Sequence, residues 1–340
     1  MSEYRTLLRA LVAGEDLEAE AMAFAVGAMM DGSWTAVQSG ALLVALAAKG
    51  ETTAEVVGAA EAMRARSRHV EHELDIVVDT CGTGGDGAHT INVSTAVGFV
   101  VAGCGLHVAK HGNRAASSAC GSADVLEAAG IRIDAAPELA RLSLERDGFA
   151  FLFAPQYHPA MKAIAPVRRE LGVRTVFNVL GPLANPARAT HQVVGVAIPG
   201  NITLVGEALQ ALGGRAGAVV HAVSGLDEVG GDGPTSIYQF DATGVRTWTL
   251  DPADYGIAAP TGALAGGTPA QNAEALRGIL AGERSPRADV VALNAALVLV
   301  VAERCDHIST GLAFARESIA SGAALAVFDR LRTPTEVEFA

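Results

Sequence analysis

One long window of this acidic chain lacks carboxylates, and the residues in it are of the kinds that hold an anion. No Asp or Glu lies between Asp86 and Asp124, although the 340 residues carry a formal net charge of -12. The window and its entrance contain a glycine-rich loop, several hydroxyls and two strong cations, at 82–87, 92–95 and 110–118. Glycine loops let backbone N–H groups approach phosphate, while Lys and Arg supply charge. Local depletion of acid in an acidic protein therefore indicates an anion site.

The glycine loop at 82–87 formally matches the fingerprint of dinucleotide-binding folds, which is a weak signal alone. That fingerprint needs an acidic residue about 20 positions later for the ribose hydroxyls. None occurs before Asp124, and Asp86 within the loop would oppose a pyrophosphate. A P-loop is excluded because no Gly-Lys-Ser/Thr follows. A glycine turn without a ligand leaves the nearby hydroxyls and cations unexplained. The pattern favours a phosphate or diphosphate cradle with residues 94–95 at a helix N-terminus.

Hydrophobic periodicity predicts which elements position this cradle. Helical spacing predicts four N-terminal helices, at 4–12, 17–30, 35–48 and 53–66. A strand-like run at 74–79 then leads directly into the glycine loop, and strands alternate with helices from there. An antiparallel strand pair, 235–240 and 245–250, precedes three closing helices, predicted at 268–283, 287–304 and 308–332.

This order of elements predicts an α/β protein with two domains. Residues 1–70 form the small all-helical domain, to which a later helical segment near 160–185 is a candidate addition. Residues 71–340 form the larger α/β domain, with a mixed, mostly parallel sheet flanked by helices.

Composition excludes several classes of partner. The sequence pI near 5.2 argues against binding to nucleic acid or to an anionic membrane surface, since both require a basic face. The four cysteines lack metal-ligand spacing. No uncharged run of about 20 apolar residues occurs, and the N-terminus lacks a signal-peptide pattern. The sequence therefore predicts a cytoplasmic protein.

Several long motifs in this sequence resemble those of the anthranilate phosphoribosyltransferase family of tryptophan biosynthesis. They occur in the same order and span nearly the whole chain, at 79–86, 92–95, 110–114, 151–161, 166–172, 177–183 and 225–228. The resemblance implies transfer of a phosphoribosyl group from phosphoribosyl diphosphate to the amine of anthranilate, with release of diphosphate.

The resemblance also implies Mg²⁺ as cofactor, held by Ser94, Asp227 and Glu228. Magnesium takes oxygen ligands and bridges phosphates with few protein contacts. A bare Asp-Glu pair is more typical of a solvated acidic turn, so the family pattern alone favours the metal here. Lys110, Asn113 and Arg168 are the residues expected to act in catalysis.

The expected donor contacts lie in and around the acid-free window. They are Gly82, Gly85, Asp86, Thr90, Asn92, Ser94, Thr95, Lys110, His111, Gly112, Asn113, Arg114, Ala115, Ala116, Ser117, Ser118 and Ser122. Lys110 is expected to pair with phosphate oxygens, and Asp86 suits sugar hydroxyls better than phosphate.

Anthranilate requires a fork-shaped cation for its carboxylate and apolar walls for its ring. Arg168 supplies the fork, although neighbouring Arg169 is an alternative. The expected acceptor contacts are Gly82, His111, Asn113, Ala154, Pro155, His158, Met161 and Arg168. No residue stands out as a strong general base, which predicts a positioning enzyme without a covalent intermediate.

The resemblance implies a homodimer formed through the helical domain. Apolar residues on more than one face of its helices, including Phe24, Met29 and Leu43, are interpreted as exposed partner-binding surface. Three other functions stay open at this point. They are an enzyme like pyrimidine nucleoside phosphorylase, whose loop pattern differs, a non-catalytic nucleic-acid-binding relative, and a related enzyme that accepts another aromatic amine.

Overall fold

The computed structural model describes residues 3–115, 119–260 and 262–332. Its N-terminal part consists of four helices: α1 (Glu3–Val12), α2 (Ala19–Met30), α3 (Ala36–Lys49) and α4 (Thr53–Arg64). Capping boxes at Thr35 and Thr52 start α3 and α4, because each threonine hydroxyl accepts a backbone N–H three residues on while the side chain of that later residue reaches back. The four predicted N-terminal helices are present, with bounds shifted by at most two residues.

The remaining elements build the α/β part. In chain order they are β1 (Val77–Asp79), α5 (Val93–Gly103), β2 (His107–Gly112), α6 (Ser122–Ala128), α7 (Pro137–Asp147), β3 (Phe149–Phe153), α8 (Ala154–Tyr157), α9 (Met161–Leu171), α10 (Leu180–Leu183), β4 (His191–Gly195), α11 (Asn201–Ala211), β5 (Ala216–Ala222), β6 (Thr235–Asp241), β7 (Gly244–Leu250), α12 (Pro269–Leu280), α13 (Pro286–Val301), α14 (Ile308–Ala320) and α15 (Ala323–Arg332). Short 3-10 helices lie at Val176–Asn178 and Pro252–Tyr255.

The seven strands form one sheet in the order β3-β2-β1-β4-β5-β6-β7. Strands β1 to β5 pair in parallel, whereas β6 and β7 are antiparallel. The predicted fold class, a helical N-terminal part with a larger α/β part around a mixed, mostly parallel sheet, is confirmed. The chain leaves β1 toward β2 on one side and later returns to β4 on the other side. Such a reversal opens a crevice beyond the carboxyl ends of the strands, where ligands bind in α/β sheets.

Two large hydrophobic clusters cover the faces of the sheet. On one face, the almost wholly apolar helix α13 packs with α5, α14 and α15. On the other face, α2, α3, α4, α9 and α11 share one cluster with Val194, Val219 and Tyr238 of the sheet. Arg64 at the end of α4 adds hydrogen bonds to the carbonyls of Leu183 and Leu212, at 2.7 and 2.9 Å. The helical part is therefore fixed to the sheet by apolar contacts and to α10 and the end of α11 by polar ones.

Three features differ from the sequence expectations. Helix α7 was not predicted, because it buries few residues. The helical segment expected near 160–185 is divided, since α9 ends at Leu171 and α10 covers only Leu180–Leu183. The single helix predicted at 308–332 is two helices that meet at 54°, since Gly322 adopts a φ of +79° at the break.

The expectation of exposed apolar surface is wrong for two of its three residues. Met29 and Leu43 are buried, at 2% and 0% exposure, because α9 and neighbouring helices enclose the bundle on more than one side. Phe24 is 43% exposed, as expected.

No single helix within 3–115, 119–260 and 262–332 has both the length and the composition needed to cross a membrane; α14 and α15 meet those two criteria only as a bent pair.

Close packing of α4 on the start of α2 predicts a strict requirement for glycine at position 58. A Cβ at Gly58 would overlap the carbonyl oxygen of Ala19, a backbone atom that cannot move aside alone. We expect Gly58→Ala to lower the free energy of unfolding by about 1–3 kcal/mol, measured by chemical denaturation.

The matched control for Gly58 is Gly40, which also lies inside a helix. A Cβ there would meet side-chain carbons of Leu171 and Val167 at 3.6 and 3.8 Å, ordinary contact distances. Gly40→Ala should leave the protein as stable or raise stability by up to about 1 kcal/mol, because alanine favours helix. Equal losses in both variants would contradict the packing argument.

Candidate active site

A cavity of about 860 Å³ opens at the carboxyl ends of β1, β2 and β3. The glycine loop and the start of α5 line one part of it, whereas α8, α9 and the segment up to Pro182 line another. Its position is the reversal point of the sheet. The predicted site residues that line this cavity are Gly82, Gly85, Asp86, Thr90, Asn92, Ser94, Thr95, Lys110, His111, Gly112, Asn113, Arg114, Ala115, Ser122, Ala154, Pro155, His158, Met161, Arg168, Asp227 and Glu228. Ala116, Ser117 and Ser118 lie outside the described residues.

The glycine loop wraps around the carboxylate of Asp227. The backbone N–H of Gly84 donates to Asp227 Oδ2 at 2.7 Å. A Cβ at Gly82 would lie 2.8 Å from that same oxygen, and a Cβ at Gly195 would overlap the Asp227 carbonyl. Gly84 and Gly85 adopt φ values of +67° and +80°, the left-handed region that glycine tolerates best. The glycines are therefore needed for close approach as well as for the turn.

Asp227 and Glu228 form a half-buried carboxylate pair on the cavity wall. Loss of surrounding water raises the pKa of Asp227, and the charge of Asp86 raises it further. Burial likewise raises the pKa of Glu228, with the neighbouring Asp227 charge as the second cause. Glu228 Oε1 accepts a hydrogen bond from the backbone N–H of Ser94 at 3.2 Å. The pair does not sit in a solvated turn, and its excess negative charge calls for a cation.

The donor atoms near this pair suit a hard divalent ion. Carboxylate oxygens of Asp227 and Glu228 and the hydroxyl of Ser94 are all oxygen ligands, the kind that Mg²⁺ prefers. Within the described ranges, no three His, Cys, Asp or Glu side chains converge as a ready-made metal cage. An open set of this kind fits Mg²⁺, because this ion keeps several waters and uses substrate phosphates as ligands.

Lys110 lies at the floor of the cavity and is 1% exposed. Its Nζ donates to the carbonyl and hydroxyl oxygens of Thr80, both at 3.3 Å, and to Ser94 Oγ at 3.2 Å. Thr80 Oγ1 in turn donates to the Ser94 carbonyl at 2.9 Å. Neutral oxygens thus hold the ammonium beside Ser94. Thr80 was not among the predicted site residues, although it lies inside the motif at 79–86.

Asp79, at the end of β1, supports the same floor. Burial raises its pKa to about 6, against the opposing effects of Lys110 and of hydrogen bonds from Asn185 and the His111 backbone. Asn185 Nδ2 donates to Asp79 Oδ2 and to the carbonyl of Ala109, both at 2.7 Å. This network fixes the end of β2, which carries Lys110 and His111.

Arg114 is engaged by two carboxylates. Its guanidinium contacts Asp124 at 3.0 Å and Glu127 at 2.8 Å, and it stacks 5.6 Å from the centre of the Phe153 ring. Hydrogen bonds to Glu127 and then Asp124 raise the pKa of Arg114. Its charge is therefore largely offset in this structure. The sequence window ended at Asp124, but the fold brings that residue back to the cation.

The other part of the cavity combines one guanidinium with apolar surface. Arg168 is half-buried on α9, its guanidinium carbon 5.3 Å from the centre of the Phe177 ring, and burial lowers its pKa. Arg169 is exposed and does not line the cavity. The walls near Arg168 include Ala154 and Met161, and Met63 of α4 lines the cavity as well. Met63 and Phe177 were not among the predicted site residues, though Phe177 opens the motif at 177–183.

His111 and His158 are buried neighbours with ring centres 5.1 Å apart. Burial lowers the pKa of His111 to about 4 and that of His158 to about 3. Both imidazoles are therefore neutral near pH 7. His111 Nδ1 lies 2.9 Å from the carbonyl oxygen of Gly181, and since a carbonyl only accepts, this nitrogen carries the proton.

Comparison with known proteins gives the same picture across the whole chain. Residues 5–67 match the model of the glycosyl transferase family, helical bundle domain, and residues 74–325 match that of the glycosyl transferase family, a/b domain. The chain is 48% identical over 332 residues to anthranilate phosphoribosyltransferase of Thermomicrobium roseum, covering 96% of this chain and 95% of that protein. It is 47% identical to the enzyme of that name from Symbiobacterium thermophilum, with 96% of each covered.

Solved structures agree in fold as well as in sequence. The crystal structure of anthranilate phosphoribosyltransferase from Thermus thermophilus superposes with a TM-score of 0.91 and 43% identity, covering 96% of this chain and 98% of that one. The Saccharomyces cerevisiae enzyme in complex with PRPP and Mg gives a TM-score of 0.90 at 26% identity, with 96% of each chain covered. On sequence and on structure, the chain belongs to the anthranilate phosphoribosyltransferase family.

Proposed function

We propose that this protein transfers the phosphoribosyl group of 5-phosphoribosyl 1-diphosphate to the amine of anthranilate, a step of tryptophan biosynthesis, and releases diphosphate. One observation carries the proposal: a single cavity joins two chemically different ends. One end has a glycine loop, a buried lysine and a carboxylate pair. The other end has a half-buried arginine over an aromatic ring. The relatives described above are anthranilate phosphoribosyltransferases, which favours this transfer over the phosphorylase and nucleic-acid alternatives.

At the donor end, the side chains supply positive charge for diphosphate and negative charge for its metal ion. Lys110 offers a fixed ammonium, and the start of α5 offers the hydroxyl of Ser94. Asp227, Glu228 and Ser94 would hold Mg²⁺. When bound, Mg²⁺ neutralises the negative charge that develops on the departing diphosphate. The structure of a relative with PRPP and Mg supports this assignment.

At the acceptor end, the chain positions a weak nucleophile instead of activating it. Arg168 would pair with the anthranilate carboxylate, and the apolar walls would contact the ring. An aromatic amine is unprotonated near pH 7, so attack needs no prior loss of a proton. The new C–N bond forms at the anomeric carbon as the C–O bond to diphosphate breaks, and the nitrogen then gives its extra proton to water. Burial keeps the two histidines of the cavity, His111 and His158, neutral near pH 7, and the proposal is catalysis by orientation.

Three further expectations stay predictions. The domain boundary near residue 70 and the cytoplasmic location are two of them. The homodimer is the third; its interface would use the apolar side chains exposed on α1, α2 and α3, those of Val12, Phe24, Val37 and Val44. A monomeric mass in light scattering at micromolar concentration would contradict it.

The proposed function is tested by following anthranilate fluorescence with purified protein, phosphoribosyl diphosphate and Mg²⁺. We expect anthranilate to be consumed, the reaction to stop when a chelator is added, and activity to return with excess Mg²⁺. The variant Asp227→Asn should need a higher Mg²⁺ concentration for half-maximal rate, because one carboxylate of the pair is gone. Consumption that is indifferent to chelator would contradict the metal assignment, and no consumption at all would contradict the function.

Arg168→Ala should raise the KM for anthranilate roughly tenfold or more and change the KM for the donor little, since a charge-assisted pair at the acceptor carboxylate is lost. Steady-state kinetics with each substrate varied in turn measures both values. Arg169→Ala is the matched control, because Arg169 is adjacent, exposed and outside the cavity. Equal effects on both substrates would remove Arg168 from the acceptor site.

A further inference from the structure

Five lysine and arginine side chains line the described cavity, and two of them, Lys162 and Arg174, have no role in the assignments above. Lys110 is held by neutral oxygens at the floor, and Arg114 is paired with carboxylates. Arg168 belongs to the acceptor end, and Lys162 is exposed at the start of α9. The fifth is Arg174. It follows α9, is half-buried, and forms no ion pair with any carboxylate in the described part of the chain.

Arg174 contacts the glycine loop. Its Nη1 donates to the carbonyl oxygen of Gly85 at 3.4 Å, a long hydrogen bond that uses one of its five donors. A Cβ at Gly85 would lie 2.5 Å from that same nitrogen, so the approach depends on glycine at this position. Gly172, with a φ of +63°, ends α9 and turns the chain so that this approach is possible.

The place of contact indicates which end of the donor Arg174 faces. Gly85 follows Gly84, whose N–H is bonded to the carboxylate of Asp227. The guanidinium therefore lies against the part of the loop that adjoins the proposed metal site. Phosphoryl oxygens are the groups that a fork of N–H donors recognises best, and several donors of Arg174 remain for them.

We propose that Arg174 binds the diphosphate end of the donor and, through Gly85, joins the segment after α9 to the glycine loop. The inference rests on the proposed function and adds a residue to it. Bound diphosphate would replace the weak contact with Gly85 by charge-assisted bonds. The same side chain would then connect the part of the chain that carries the acceptor arginine to the loop that carries the donor.

Calorimetric titration tests the proposal with two probes, inorganic diphosphate and ribose 5-phosphate, each in the presence of Mg²⁺. Arg174→Ala should weaken diphosphate binding roughly tenfold or more and leave ribose 5-phosphate within roughly twofold of the unaltered protein. Arg174→Lys should recover part of the loss, since it keeps the charge but not the fork. In steady-state kinetics, Arg174→Ala should raise the KM for the donor and leave that for anthranilate unchanged. Arg169→Ala is the control and should match the unaltered protein throughout.

Unchanged diphosphate binding in Arg174→Ala would overturn the proposal, and so would a loss confined to ribose 5-phosphate, because that places the arginine at the other phosphate. If Arg174→Ala does not fold, Arg174→Gln is judged by the same criteria. The outcomes separate this inference from the proposed function. If the protein binds diphosphate through Arg174 but consumes no anthranilate, the inference about Arg174 is supported and the proposed function is contradicted.

Discussion

The site depends on two adjacent carboxylates, Asp227 and Glu228, being held partly out of water. Like charges placed side by side with reduced solvation are unfavourable, and their raised pKa values express that cost. The fold offsets part of it with backbone N–H donors, from Gly84 in the loop and Ser94 in α5. Both donors come from segments at the end of β1. The requirement for close approach to this pair therefore explains glycine at 82 and at 195 and the placement of the loop.

The carboxylate pair also restricts what the cavity can bind. A bare diphosphate would be repelled by Asp227 and Glu228, while a divalent cation alone would face the ammonium of Lys110 nearby. An anion and a divalent cation bound together satisfy both sets of charges. Because Lys110 is held by neutral oxygens and not by a carboxylate, its charge stays available to such a complex. Positively and negatively charged side chains at one end of one cavity are thus a more specific indication of a site for metal-bound diphosphate than the glycine loop alone.

The sequence predicted the fold class and the location of the cavity well, because both follow from periodicity and from local motifs. What it missed depends on contacts between distant segments. The window without acidic residues in the sequence is not free of carboxylates in the folded structure, because Asp124 contacts Arg114. Helix α7 was missed because it buries few residues, and Arg174 follows α9 at a position outside all the motifs. Met29 and Leu43 were wrongly expected to be exposed. A helix with apolar residues on several faces can be enclosed by neighbouring helices, and its sequence pattern is the same as that of a helix that binds a partner.

The two ends of the cavity are supported by different parts of the core. The donor end stands on β1, β2 and α5, whose apolar residues belong mainly to the cluster around α13. The acceptor arginine stands on α9, which packs on α3 near Gly40 and shares the other cluster with the N-terminal helices. Any shift between these two packing units changes the distance between the amine and the anomeric carbon, on which catalysis by orientation depends. A contact that crosses the boundary, such as that of Arg174 with the glycine loop, therefore bears on the reaction even where it touches no reacting atom.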